Sequence, residues 1–76
     1  MHSFQIGDRV SIINCTMGGR FFFEGRAVIM DLVDGVDEQY EVEFDNGDLV
    51  ERFVDPQAQE CRNEDSYIAE LNRTTN

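Results

Sequence analysis

The sequence predicts a mainly-β fold: a small antiparallel barrel of four or five strands with a short C-terminal helix. Three observations carry that expectation. Residues 40–45, YEVEFD, alternate apolar and acidic side chains, the period of a strand with one dry and one wet face. Asn46-Gly47 follows at once, the strongest short-range hairpin signal, because a tight turn needs positive φ at its centre. Glycines also interrupt the apolar runs at Gly7 and Gly25, where a sheet curling toward closure must bend.

Taken in order, Phe4 to Ile13 reads as a first strand with a bend at Gly7-Asp8, its apolar side being Phe4, Ile6, Val10 and Ile12. Asn14 to Arg20 is a loop marked by Gly18-Gly19. Phe21 to Val33 is one long bent strand or two short ones, broken at Gly25, and Asp34 to Gln39 is a loop. With Asn46-Gly47 as a two-residue tip, Glu41 faces Arg52, Val42 faces Glu51 and Phe44 faces Leu49. That register gives Tyr40, Val42, Phe44, Leu49 and Phe53 to the core, and in conflict with this sends Glu51 to the same face, where it is expected at a barrel rim or at a bulge in the ladder. Asp55-Pro56 ends the last strand, since proline removes a ladder donor. Ile68 and Leu71 then lie three apart, predicting a helix over about 65–73 capped by Asp65 or Ser66. The chain is one domain over 1–76, with the barrel over about 4–56 and a helical segment over about 57–73.

Seventy-six residues sit near the lower limit for a self-sufficient core, and six Phe with two Tyr supply large buried areas per residue. No apolar run approaches the roughly 20 residues that span a bilayer, and the N-terminus lacks the pattern of a secretory signal. The expectation is a cytoplasmic protein with no membrane partner. Cys15 and Cys61 are too few for the disulfide framework of a small secreted domain, so both are expected as reduced, partly buried thiols. No zinc-ligand spacing occurs, and the lone His2 sits at an end expected to be mobile. No metal or cofactor is implied.

Charge is the unusual quantity. Sixteen acidic residues against six basic ones give −10, and every basic residue is arginine. Arginine makes planar bidentate pairs with carboxylates, so Arg9, Arg26 and Arg52 are expected to hold nearby acids. Nine acids and no base lie between Asp31 and Glu51. Direct nucleic-acid binding is disfavoured, because that affinity comes from positive charge displacing counterions. A protein partner with a basic surface is favoured.

Gly7-Asp8-Arg9-Val10, Glu24-Gly25-Arg26-Ala27-Val28-Ile29, Tyr40 to Gly47 and Arg52-Phe53-Val54-Asp55-Pro56 together resemble the strands of small SH3-like barrels of the Tudor and KOW type. The likeness covers Phe4 to Pro56 and implies such a barrel. Barrels of this kind bind nucleic acid, methylated tails, peptides or other domains, so the resemblance speaks to fold more than to function. The chain also resembles short hypothetical proteins of bacteriophages, which would place it in a host cytoplasm. It departs from RNA-binding KOW modules in having acidic loops. It departs from methyl-reading Tudor domains because the cage candidates, Phe21, Phe22, Phe23, Tyr40 and Phe53, are mostly wanted by the core.

Catalysis has little support, since no Ser/His or Cys/His arrangement can be drawn without His2. A non-enzymatic module is expected. Strand alternation sends Phe22 to the face opposite Phe21 and Phe23, making it a candidate anchor for a partner unless Ile68 and Leu71 cover it. Asp34, Asp37, Glu38, Glu41, Glu43, Asp45 and Asp48 are the candidate acids that would meet a basic surface. Carboxylates on alternate strand residues lie about 6–7 Å apart, comparable to phosphates along one nucleic-acid strand. A basic groove that holds DNA or RNA could therefore be occupied and inhibited by such a row. A rival reading is a small-ligand module in which Gly18, Gly19, Arg20 and Arg26 hold an anion or nucleotide, or a homodimer sealed by Phe22. A third is an accessory domain of the Tudor or KOW kind within a nucleic-acid-associated complex.

Overall fold

The computed structural model describes residues 1–61 and 63–75, with side chains through residue 73. Strands β1 (Arg9–Cys15), β2 (Phe21–Leu32), β3 (Gln39–Phe44) and β4 (Leu49–Phe53) form one antiparallel sheet in that spatial order. Two helices follow, α1 (Pro56–Glu60) and α2 (Glu64–Thr75). The chain is thus mainly β, four strands in an open sheet with β1 and β4 at its ends.

Alternation builds the core. Val10 and Ile12 of β1, Ala27 and Ile29 of β2, Tyr40 and Val42 of β3, and Val54 just past β4 are buried together. Phe4, Leu32, Phe44 and Val50 pack around them. Each large side chain so removed from water contributes about 1.5–3 kcal/mol, which a domain this short needs from nearly every core position.

The first strand begins at Arg9 rather than Phe4. Gly7 at φ 96° and Asp8 close a turn in which Asp8 N–H donates to the Gln5 carbonyl at 3.0 Å and Gln5 N–H to the Asp8 carboxylate at 2.9 Å. Ile6 is left 64% exposed outside the core. The long second strand is a single one, as its pattern allowed. Its pairing with β1 shifts between Ile12 and Ile13, so that Gly25 faces Ile12 and Glu24 is left over. A Cβ on Gly25 would come within 3.3 Å of the Phe44 ring, which explains the glycine by close packing.

The hairpin register differs from expectation by one residue. Phe44 N–H donates to the Asp48 carbonyl at 2.9 Å and Gly47 N–H to the Phe44 carbonyl at 2.9 Å, so the loop is Asp45-Asn46-Gly47. Gly47 alone of these takes positive φ, 93°. This is a type I turn closed by a glycine bulge, which needs one left-handed residue where a two-residue turn needs two. Asn46 stabilises it by accepting the Asp48 N–H at 2.9 Å. The ladder now pairs Glu43 with Leu49, Val42 with Val50, Glu41 with Glu51, Tyr40 with Arg52 and Gln39 with Phe53. Glu51 therefore leaves the core face, and Leu49 and Phe53, expected inside, are each 52% exposed.

Asp55-Pro56 does more than end a strand. Asp55 accepts the Gln57 N–H at 2.9 Å as N-cap of α1, and Pro56 takes a first-turn position whose missing N–H costs nothing. α2 starts slightly earlier than expected, because Asn63 is the residue that accepts from Asp65 N–H at 2.9 Å. Tyr67 of α2 donates its hydroxyl to Asp55, and burial together with that carboxylate pushes the phenol up to about 12.

Both helices also hold the sheet by its edges. Ser11 points its main-chain groups away from β2, and the Gln59 amide meets both: Ser11 N–H donates to Oε1 at 2.7 Å and Nε2 donates to the Ser11 carbonyl at 2.8 Å. Asn72 treats Phe21 likewise, at 2.7 and 3.1 Å, where β2 projects past the end of β3. Each side-chain amide stands in for one residue of a missing neighbouring strand. Gln59→Ala is expected to lower stability by about 1–2 kcal/mol in urea unfolding, since two main-chain groups lose partners. Gln59→Leu, which restores volume without hydrogen bonds, should recover little of that loss.

Candidate functional site

The sequence-nominated acids separate into engaged and open sets. Asp37 pairs with the Met1 ammonium. Glu38 accepts from Ser3 N–H at 2.7 Å, Ser3 Oγ at 2.5 Å and Tyr40 Oη at 2.7 Å. It sits at φ 58°, a left-handed conformation held by this network and by Val54 N–H donating to its carbonyl at 2.8 Å. Asp45 receives Arg9 Nη2 on both oxygens at 3.1 and 2.9 Å. His2, expected at a mobile end, is half-buried with its ring edge-on to Tyr40 at 5.1 Å. The residues before β1 therefore strap across the β2–β3 loop and neutralise part of its charge.

The open set lies on the outer face of the sheet. Pairing places Asp31 opposite Glu41 and Glu41 opposite Glu51, a row of carboxylates running across β2, β3 and β4. Glu43 stands between Val28 and Leu49 in the adjoining row. Glu41, Glu43 and Glu51 are exposed, and their carboxylates have no hydrogen bond or ion pair among the described residues. Like charges directly opposite one another destabilise a sheet. The Glu41–Glu51 position is of the closer kind, because the flanking pairs at Phe44–Asp48 and Glu38–Val54 carry the ladder hydrogen bonds. Exposed apolar side chains border this row: Leu49 and Phe53 at 52% and Met30 at 42%. Asp34 is exposed on the loop, and Asp48 accepts from Asn46 Nδ2 at 3.1 Å at the hairpin tip.

Arg52 does not meet Glu41. It lies on the inner face, where Nε and Nη2 reach the two oxygens of Glu24 at 2.8 and 2.9 Å, with Asn14 Nδ2 adding a third bond at 3.0 Å. β2 and β4 are not neighbours, so this fork ties the bent first half of β2 across the sheet to β4. Arg52 beside it holds the Glu24 carboxyl below its ordinary range, burial opposing the shift and Asn14 assisting. For Glu38, burial works against ionisation, but the three hydrogen bonds from Ser3 and Tyr40 outweigh it and its pKa is lowered.

The nominated anion site does not assemble in one place. Gly18, Gly19 and Arg20 form the β1–β2 loop, closed on itself by Thr16 N–H to the Arg20 carbonyl at 2.8 Å and Arg20 N–H to Thr16 Oγ1 at 3.1 Å. Arg26 faces Ser11, well up the ladder from Cys15 and Phe21, and donates to Ser11 Oγ at 3.3 Å while Ser11 donates to Glu64 at 2.9 Å. An open cleft of about 280 Å³ instead brings Arg26 beside Glu24, Asp45 and Asp48. Arg52 and Arg9 pair with two of these three carboxylates, so the cleft carries no excess of positive charge to hold an anion.

Phe22 and Phe23 remain 40% and 38% exposed beside α2, so the helix covers neither fully. Cys61 is half-buried and donates to the Gln57 carbonyl at 3.3 Å, whereas Cys15 is exposed at the end of β1 instead of partly buried. Among the described residues no three His, Cys, Asp or Glu side chains converge as metal ligands, and no helix is long and apolar enough to cross a membrane. Sequence reasoning missed Glu51, Leu49 and Phe53 as surface residues. The signal was present in the conflict over Glu51, which a three-residue loop removes. No protein-family model, curated protein or solved structure matches the chain.

The lowered carboxyls fix the sign of one pH effect. A carboxyl with a folded pKa below its unfolded value, near 4.5 for Glu24 and Glu38, adds stability that is complete above that value. It is lost as pH falls through the folded pKa. Glu24→Gln should cost on the order of 1 kcal/mol at neutral pH, the modest size reflecting solvent access to the pair. The urea-midpoint gap between wild type and Glu24→Gln should narrow steadily below about pH 4.5.

Proposed function

We propose that the chain is a non-enzymatic, SH3-like binding module whose outer sheet face engages a basic surface of another protein, in the manner of a small inhibitor that occupies a nucleic-acid site. The observation that carries this reading is the Asp31, Glu41, Glu51 row. Three carboxylates face one another across adjacent strands, and Glu41 and Glu51 have no counter-ion among the described residues, whereas Asp45 is paired with Arg9, Glu24 with Arg52, and Asp37 and Glu38 with the N-terminal strap. Such a row costs the isolated fold stability, and a basic partner would relieve it. Leu49, Phe53 and Met30 around it supply apolar area that charge alone lacks, as interface cores require. The inner Glu24–Arg52 tie supports the curled, SH3-like form of the sheet. The cytoplasm, of a host cell if the chain is viral, is the compartment that fits this reading.

This face replaces the wider set first nominated. Glu41 and Glu43 remain in it, Glu51 joins them, and Asp37, Glu38 and Asp45 have partners within the fold. The anion-binding alternative is weaker, because Arg20 and Arg26 occupy separate places.

A lysine-rich peptide with a fluorescent label is a defined probe. Its binding should weaken at least about tenfold from about 0.05 to about 0.3 M salt. Glu41→Gln/Glu43→Gln/Glu51→Gln should abolish most of the binding while raising stability on the order of 0.5 kcal/mol by removing repulsion. The triple variant Asp34→Asn/Glu60→Gln/Asp65→Asn loses as much charge and should bind nearly as wild type. Equal weakening by both triples would reduce the face to a general effect of net charge.

A further inference from the structure

We propose that the free edge of β4 is a strand-addition site for an extended segment of a basic partner. This rests on the reading of the outer face given above and deepens it, naming how the partner is held.

Ladder geometry shows which groups are available. Phe44–Asp48 and Glu38–Val54 are hydrogen-bonded pairs, so alternation makes Val42–Val50 and Tyr40–Arg52 the bonded pairs between them. The main-chain groups of Leu49, Glu51 and Phe53 consequently point away from β3. β4 ends the sheet, and these three N–H groups have no partner among the described residues. Among the described residues only the Glu51 carbonyl is met, by Arg52 Nη1 at 2.9 Å. The contrast with the rest of the fold is chemical: Gln59 covers Ser11 and Asn72 covers Phe21, whereas among the described residues no side-chain amide covers β4.

The side chains on this edge select the occupant. An added strand would lay alternate residues beside Leu49, Glu51 and Phe53, and so would match with apolar, basic and apolar side chains. A basic residue beside Glu51 also meets the field of Glu41 and Asp31 behind it. A second copy of this chain fits poorly. Two-fold antiparallel pairing centred on Glu51 would oppose two carboxylates and bring together two chains of net charge −10. Glu51 thus both rejects self-pairing and admits a strand of opposite charge, the attractive and repulsive halves of specificity.

The probe is an end-blocked synthetic peptide, Thr-Ile-Thr-Lys-Thr-Ile-Thr, whose symmetry serves either strand direction. Amide hydrogen exchange is read by NMR on the unmodified chain. Saturating peptide is expected to slow exchange at Leu49, Glu51 and Phe53 by at least about tenfold, with the other sheet amides little changed. The same peptide N-methylated at both isoleucines should bind at least about fivefold more weakly, having lost two main-chain donors. Absence of binding, or binding that leaves those three amides open, overturns the strand-addition site. In the second case a salt-sensitive affinity lost in Glu41→Gln/Glu51→Gln would leave the acidic-face reading standing. Protection that survives high salt and that double variant overturns the choice of a basic partner. Slowing of the same amides with rising protein concentration alone, with a doubled mass in solution, identifies a second copy as occupant and overturns the proposal.

Discussion

The turn at Asp45-Asn46-Gly47 is the constraint on which the other features depend. A strand pair has a side-chain period of two, so one residue more or less in the loop reverses every side chain of one strand relative to the other. With three residues in the loop, Val50 and Arg52 face inward, and Leu49, Glu51 and Phe53 face outward. Arg52 can then reach Glu24 across the inner face. Glu51 can then complete the carboxylate row begun by Asp31 and Glu41. A single glycine at φ 93°, helped by Asn46 and Asp48, therefore decides both the internal tie and the external charge pattern.

A sheet of four short strands cannot protect its own edges, and the helices supply part of what is missing. α1 is barely longer than a turn, and its packing alone would stabilise little. Its Gln59, however, satisfies both main-chain groups of Ser11, and Asn72 of α2 does the same for Phe21. Asp55 joins the two helices by capping one and accepting the Tyr67 hydroxyl of the other. These specific polar links compensate for a small core, in the place where other domains of this size use disulfides or metals.

Much of this was legible in the sequence. The alternation of residues 40–45 gave the strand and its buried face, Gly25 the bend, and Ile68 with Leu71 the last helix. The turn type was harder, because Asp-Asn-Gly suits either a two-residue or a three-residue loop and local chemistry hardly separates them. The misfit of Glu51 was the better guide, being a statement about the whole ladder. Asp55-Pro56-Gln57 carries a helix-start signal that reads equally as a strand stop. The amide clamps were not legible at all: Gln59 and Asn72 lie 48 and 51 residues from the groups they satisfy, and nothing local marks them. The engagement of Glu38 by Ser3 was hidden for the same reason, at a separation of 35.

Some acids thus hold the fold, and others, Glu41 and Glu51 among them, are left by the register facing outward with no counter-ion among the described residues. The account stands or falls on that register. Close Hα–Hα contacts, which occur only at pairs lacking ladder hydrogen bonds, report it directly by NMR. Nuclear Overhauser effects between the α-protons of Glu41 and Glu51, and of Glu43 and Leu49, are expected. Effects joining Val42 to Glu51 and Phe44 to Leu49 would instead mean a two-residue turn, a Glu51 directed at the core, and no carboxylate row across the outer face.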